Sequence, residues 1–480
     1  MYKPLINFTA TYTDQYQLTM SQVYFLKGQK ETRAVFDCFF RSLPFSSGYA
    51  VFAGLEDLLD VLETLHFDTE DLEFLKERGF HPDFIDYLRD FRFKGTIYSS
   101  REGDIIFPAR PILQVEGNII EAQLIETILL NILNFQSLIA TKASRMKQAA
   151  GNNRLIDFGL RRAQGPGGYY ASRAAIIGGF DATSNVRAAR DFDLLAAGTM
   201  AHSYIESYDD EYTAFSHFAE VHPENCILLV DTYDTLKSGL PNTIRVAKEM
   251  EVKGHRLKGI RIDSGDLAYL TKASRKMLDD AGLVYVDIAV SNQLDEHIIK
   301  SLREQEAPIN VFGVGTSLVT GHPDAALDGV YKLAYANDKP RIKLSENVSK
   351  ITLPHRKQVY RMLDHDEYFI GSDVVTLEEE QEVDIMHHPM FPDKSLAIGQ
   401  YKKEPLLEKV MENGLRLIPK QPLTEIARYS GLRLKKLPEE YKRFNYPHIY
   451  KVGLSTRLLN ERDRLIHHHK MQTHETSQPD

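Results

Sequence analysis

Between residues 154 and 316 short apolar runs recur, each followed by a stretch in which apolar positions return at helical spacing. The runs are RLIDFGL from Arg154, GFDATS from Gly179, DLLAAGTMAHS from Asp193, CILLVDTY from Cys226, LKGIRID from Leu257, VYVDIAVS from Val284 and INVFGVGT from Ile309. Helical patterns such as Pro241–Glu251, Leu267–Ala281 and Asp295–Glu306 lie between them. Strands joined by crossover helices build a parallel sheet covered on both faces. Seven such units predict an irregular α/β barrel over 151–325, although spacing alone does not close it. Residues 1–150 mix helices with strands such as AVFDCFF and GTIYSS and end in a helical connector. Beyond the barrel, GVYKLAYAND, RIKLSENVSKITL and QVYRML alternate around turn signals and read as antiparallel strands over 326–395. These are expected to return to the N-terminal region and complete a flanking mixed α+β, sandwich-like domain. Residues 396–480 form a C-terminal segment whose polar tail, from about 460 and including His467–His469, reads as frayed rather than metal-binding.

The stretch Asn118–Ala140 is the most apolar, yet it carries Glu121, Gln123, Glu126, Asn131, Asn134 and Gln136. Such polar density is costly in a bilayer, whereas Leu124, Ile125, Ile128, Leu129, Ile132 and Leu133 fit the buried face of a helix. A soluble, cytoplasmic protein is expected, because the N-terminus also lacks the basic and apolar regions of a signal peptide. Two cysteines, Cys38 and Cys226, exclude a disulfide framework and a four-cysteine zinc site. The 58 basic and 67 acidic residues give a net charge of −9 without a dense basic block, which argues against a nucleic-acid partner. By charge alone a small anionic substrate is disfavoured as well.

The strand ends change that picture. In parallel α/β folds, function gathers where the strands run out. Here those positions carry Asp157–Arg162, Thr183-Ser184-Asn185, Gly198–Ser203, Asp231–Asp234, Arg261–Asp266, Ser291-Asn292-Gln293 and Gly313–Thr316. Arg161 and Arg162, ahead of the flexible GPGG run, suit phosphate or carboxylate through paired N–H donors. Gly313-Val314-Gly315 offers backbone amides to a phosphate. Asp266 reads as a helix cap, whereas Asp263, still at the strand end, suits sugar hydroxyls or a metal-bound phosphate. A lone His202 is by base rate structural, and its place on the rim is what raises it. Together these residues imply a site for a phosphorylated small molecule, with magnesium held in part by water. No HExxH, GKS/T or GxSxG pattern occurs, so zinc peptidase, P-loop and α/β-hydrolase chemistry lack support. No lysine occupies these strand ends either, which counts against a Schiff-base aldolase.

The run Thr13–Met20 together with FGLRRAQGP, TSN, GTMAHS, VDTYDT, RIDSGD and FGVGT, in this order over nearly the whole chain, resembles the bacterial nicotinate phosphoribosyltransferases. The resemblance implies a type II phosphoribosyltransferase-like barrel with a flanking mixed domain, working as a homodimer with its active site shared across the interface. It implies that Phe158 stacks on the pyridine ring of nicotinate while Tyr16 of the other subunit covers the opposite face, helped by Asp14. Arg161, Arg261 and the Thr183-Ser184 segment would meet the carboxylate, with Arg162 beside them. Asp263, Ser291 and Asn292 would hold the ribose of phosphoribosyl pyrophosphate, and Gly313, Gly315 and Thr316 its 5-phosphate. Magnesium would ride on the pyrophosphate, with Asp231 and Asp263 as candidate ligands. His202 would be phosphorylated by ATP, a neutral imidazole being a competent nucleophile, and Asp231 would orient it. The product would be nicotinate mononucleotide, the first step of NAD synthesis from nicotinic acid, in an ATP-dependent, ligase-type reaction. A nicotinamide- or quinolinate-using transferase is the rival. The nicotinamide enzymes carry an aspartate where this chain has Thr183-Ser184-Asn185, and no acid stands here. A non-catalytic nucleotide-binding homologue is a further alternative, against which the joint presence of Arg161, His202, Arg261 and Asp263 counts.

Overall fold

The computed structural model describes residues 7–346, 350–391 and 393–475, with side chains to 471. The chain divides into two units, one formed by residues 3–141 and 326–480 and the other by Lys142–Ala325.

The second unit carries six short parallel strands: β1 (Arg154–Asp157), β2 (Ala182–Thr183), β3 (Ile227–Leu229), β4 (Gly259–Ile262), β5 (Asp287–Ser291) and β6 (Val311–Val314). Their order is β2-β1-β6-β5-β4-β3, so the first strand pairs with both the second and the last. Leu228, Leu229, Ile260, Ile262, Ile288 and Phe312 are fully buried, as expected of strands covered on both faces. Helices Leu240–Val252, Leu267–Asp280 and Glu296–Glu304 fill the intervals where the spacing predicts helices. Aspartates cap the last two: Asp266 accepts from the Tyr269 amide at 3.0 Å and Asp295 from that of Ile298 at 2.8 Å.

A barrel closed by seven strands is not what the ladders show. The expected third strand, from Asp193, makes a single parallel bridge, Thr183 with Ala196, and no ladder joins it to β3. Its apolar character is not matched by burial, since Leu195 is 68% exposed. Asp193 sits at φ 53°, ending the helix Val186–Phe192 in the left-handed region, so the chain enters this run from a cap.

The first unit contains a seven-stranded and a six-stranded sheet. In the former, Arg33–Phe40 pairs antiparallel with both Leu113–Asn118 and Gly329–Ala336. In the latter, Lys357–Leu363 pairs antiparallel with Phe369–Leu377, which pairs in parallel with Lys451–Ser455. The expected strand RIKLSENVSKITL does not form over its described residues 341–346 and 350–353, while 347–349 lie outside the described residues. The apolar stretch forms helices Ile119–Leu124 and Glu126–Ala150, with Leu124, Ile125, Ile128, Leu129, Ile132 and Leu133 all buried. Among the described residues no helix is long and apolar enough to cross a membrane. The C-terminal region also departs from its reading. It forms the helix Thr456–Glu475, which includes His467–His469 and is anchored by buried Leu458, Leu459 and Leu465. An apolar stripe this sparse is easily lost among Arg, Glu, Asp and His.

Candidate active site

The strand ends of the second unit converge on Arg261, the third residue of β4. Its Nε donates to Ser291 Oγ at 3.0 Å, and its Nη1 donates to Thr199 Oγ1 at 3.0 Å and to the Met200 carbonyl at 3.3 Å. Its Nη2 lies 3.4 Å from Asp263 Oδ2, and the guanidinium sits over the Phe158 ring, 5.4 Å from the centroid. A planar fork of five donors satisfies these partners at once, as a lysine could not. Arg261 therefore links the ends of β1, β4 and β5 with the segment before His202.

His202 opens the short helix His202–Glu206. Its Nδ1 lies 3.0 Å from Thr232 Oγ1 and its Nε2 4.0 Å from Asp263 Oδ2, and its side chain is 37% exposed. Asp231, expected to orient this histidine, points elsewhere. Its Oδ2 accepts from the Asp263 amide at 2.9 Å and from Ser264 Oγ at 2.6 Å, fixing the turn after β4. Its Oδ1 is buried without a hydrogen-bond partner. Thr232, the next residue, contacts His202 instead. Ser291 is buried, with its hydroxyl shared between Arg261 and Asp263. Asn292 follows at φ 97° and is exposed.

Asp157, at the end of β1, is fully buried and organises the other side of the rim. Its carboxylate accepts from the Gly159 amide at 2.8 Å, Ser172 Oγ at 2.7 Å and Thr183 Oγ1 at 2.8 Å. Burial pushes its pKa up against these three bonds, which favour the charged form. Thr183 also accepts from the Asn185 amide, so its hydroxyl is engaged inside the fold and is withdrawn as a carboxylate ligand. Asn185 caps the next helix through the Ala188 amide. Of this trio, only Ser184 remains half-buried on the rim. Arg161 and Arg162 lie in the turn Leu160–Arg162, both exposed and without an ion-pair partner among the described residues. Gly313 has a steric reason to be glycine, since a Cβ there would stand 2.4 Å from the Phe158 ring. Thr316 begins the helix Thr316–Val319, where amides have no intrahelical acceptor.

Asp14 and Tyr16 belong to the first unit. The Asp14 carboxylate accepts from Thr127 Oγ1 at 2.7 Å, and Tyr16 is 48% exposed. Its phenol pKa is raised by partial burial and by Glu126 and Asp14, so it stays neutral. Thr232 is not singled out by the sequence, although it neighbours Asp231, which is. No spacing rule distinguishes a threonine that holds a catalytic group from one that ends a strand.

Comparison with known proteins identifies the family. Family profiles described as the nicotinate phosphoribosyltransferase N-terminal domain, family and C-terminal domain match residues 11–134, 153–369 and 356–462. The chain is 45% identical to the nicotinate phosphoribosyltransferase of Bacillus subtilis, over 97% of this chain and 96% of that protein. The chain belongs to the nicotinate phosphoribosyltransferase family. Its relatives include the Dictyostelium discoideum nicotinate phosphoribosyltransferase, 37% identical over 95% of this chain and 88% of that one. The crystal structure of human nicotinic acid phosphoribosyltransferase superposes with a TM-score of 0.84 at 31% identity, covering 94% of this chain and 99% of that one. A nicotinate-nucleotide pyrophosphorylase from Pyrococcus furiosus superposes with a TM-score of 0.71 at 26% identity, over 89% of this chain and 95% of that one.

Proposed function

We propose that this enzyme transfers the phosphoribosyl group of phosphoribosyl pyrophosphate to nicotinate, giving nicotinate mononucleotide and pyrophosphate, coupled to ATP hydrolysis through phosphorylated His202. The Arg261 hub carries the reading, because it joins Phe158, Asp263 and the His202 segment within the family's fold.

Displacement at the anomeric carbon breaks the bond to pyrophosphate as the ring nitrogen of nicotinate attacks. That nitrogen bears no proton, so no protein base is needed. Phe158 offers a face to the pyridine, Tyr16 of the partner subunit the other, and offset stacking of flat rings is favourable. Arg161, Arg261 and Ser184 meet the carboxylate, with Arg162 adding positive charge. The lack of an acid at Thr183-Ser184-Asn185 favours the acid over the amide. Asp263 and Asn292 hold ribose hydroxyls, and the Gly315 and Thr316 amides hold the 5-phosphate. His202 takes the γ-phosphoryl of ATP on a ring nitrogen as the bond to ADP breaks.

Among the described residues no group of three His, Cys, Asp or Glu side chains forms a closed metal cage. Magnesium takes one or two carboxylates together with phosphate oxygens, and we place it on the substrate pyrophosphate. The unpartnered Asp231 Oδ1 fits such a role, with Asp263 beside it. Bound there, magnesium would neutralise the leaving pyrophosphate.

We propose an irregular barrel for the second unit; the pairing of β1 with both β2 and β6 supports this reading, and no ladder joins the Ala196 bridge to β3. We place the enzyme in the cytosol, consistent with two buried free thiols pushed up to about 12 by burial and therefore inert.

The test is to incubate the protein with phosphoribosyl pyrophosphate, magnesium and nicotinate, nicotinamide or quinolinate, with and without ATP. Nicotinate should give the highest kcat/KM, and ATP should raise turnover. Equal or greater activity with either rival pyridine would overturn the substrate assignment. His202→Ala should abolish ATP hydrolysis and leave slow, ATP-independent transfer.

A further inference from the structure

We infer that Thr232 is the positioning residue for His202, holding the imidazole ring in the attitude needed for phosphorylation; this rests on the phosphohistidine reading above. Thr232 Oγ1 lies 3.0 Å from His202 Nδ1. It is the one side chain within hydrogen-bond distance of the ring among the described contacts, since Asp263 Oδ2 stands 4.0 Å from Nε2. That carboxylate is also engaged by Ser291 and lies 3.4 Å from Arg261, so it faces the ring as part of a neutralised cluster rather than gripping it.

The aspartates of this strand end are committed elsewhere. Asp231 fixes the turn after β4, and Asp234 caps the following turn through the Leu236 and Lys237 amides. The hydroxyl between them is therefore the group that touches the histidine. Its chemistry suits the task better than a carboxylate would. A hydroxyl donates to a bare Nδ1 and accepts from a protonated one, so the contact survives either tautomer. A carboxylate can only accept from Nδ1–H and would favour the imidazolium, whose lone pairs are both occupied by protons. When Thr232 accepts from Nδ1–H, it fixes the ring and leaves the lone pair of Nε2 free to attack. Threonine is also stiff at χ1, so its Oγ1 is itself well placed. In the step it serves, a bond from imidazole nitrogen to the γ-phosphorus forms as the γ-phosphorus–oxygen bond to ADP breaks, and ADP keeps the electron pair.

The experiment compares Thr232→Val, Thr232→Ala and Thr232→Ser in the full-length enzyme. Single-turnover phosphoenzyme formation is followed with γ-labelled ATP and magnesium, and the ¹⁵N shift of His202 Nδ1 is recorded. Loss of the hydroxyl should slow labelling about ten- to hundredfold, by analogy with loss of the partner that orients a metal-ligating histidine, with little change in the KM for ATP. The Nδ1 shift should move with it. Thr232→Ser should restore both. Labelling of folded Thr232→Val or Thr232→Ala at the wild-type rate, or failure of serine to rescue, would overturn the assignment to the hydroxyl. His202→Ala separates the two layers: label retained there overturns the phosphohistidine reading itself, whereas label lost there and kept at full rate in the valine variant overturns only the role of Thr232.

Discussion

Arg261 shows how one side chain can replace several weaker constraints. Its Nε and Nη1 have fixed acceptors on Ser291, Thr199 and Met200, leaving Nη2 near Asp263 and the π-face to Phe158. Arg261→Ala removes all of these and leaves the Ser291 and Asp263 pair facing an empty space. We expect kcat/KM for nicotinate to fall by about two orders of magnitude or more, as when a charged group that fixes a site is lost. Arg261→Lys should recover little, because a point charge cannot bridge partners set at the angles of a guanidinium. Steady-state kinetics of both variants test this, and near-complete rescue by lysine would show that charge alone is sufficient. The strand-end position of Arg261 and Asp263 was legible in the sequence because polar residues closing an apolar run are visible as such. The roles of Asp231 and Thr232 were not. They are adjacent, and only three-dimensional placement shows that the acid turns towards the β4 turn and the hydroxyl towards the histidine.

At the scale of elements, Asp157 joins the end of β1 to β2 and to the helix Pro166–Ile177 through Thr183 and Ser172. Burial raises its pKa above the usual carboxylate value of about 3.9. The native state therefore binds this proton more readily than the unfolded chain does, and stability rises as pH falls from neutrality through the raised pKa. Asp157→Asn keeps the shape and removes the titration. At pH 7 the variant should lose about 1–3 kcal/mol, because one amide cannot accept from all three donors. The gap between wild type and variant should then widen as pH is lowered towards 4. Denaturant midpoints across that range would measure it, and a constant gap would mean that burial does not control this carboxyl. The failed strand at Asp193 belongs to the same scale. A strand needs pairing and a covered face, and local apolarity reports neither. Leu195 is apolar and exposed, so its pattern promised a burial that the fold does not supply.

For the molecule as a whole, net charge was informative about large partners and misleading about small ones. A balance of −9 is spread over the chain, whereas Arg161, Arg162 and Arg261 concentrate cations at one rim, and phosphates respond to the local field. The remaining question at this scale is how many copies of the chain make one site. Tyr16 and His202 lie in different units of the chain, and the proposed enzyme draws them from different subunits. Symmetry turns this into a quantitative expectation. Tyr16→Ala and His202→Ala homodimers should each be poor in ATP-coupled turnover, since every site carries one defect. In a mixed dimer both defects fall in one site and the other is intact. After co-expression with random pairing, half the dimers are mixed and each has one working site, so ATP-coupled activity should recover to about a quarter of wild type. Purification through two different tags, with nicotinate mononucleotide formation as the readout, isolates the mixed species and should raise recovery to about a half. If both residues came from the same subunit, the mixed dimer would carry one defect in each site and no recovery would follow, which would return Tyr16 to its own subunit's site.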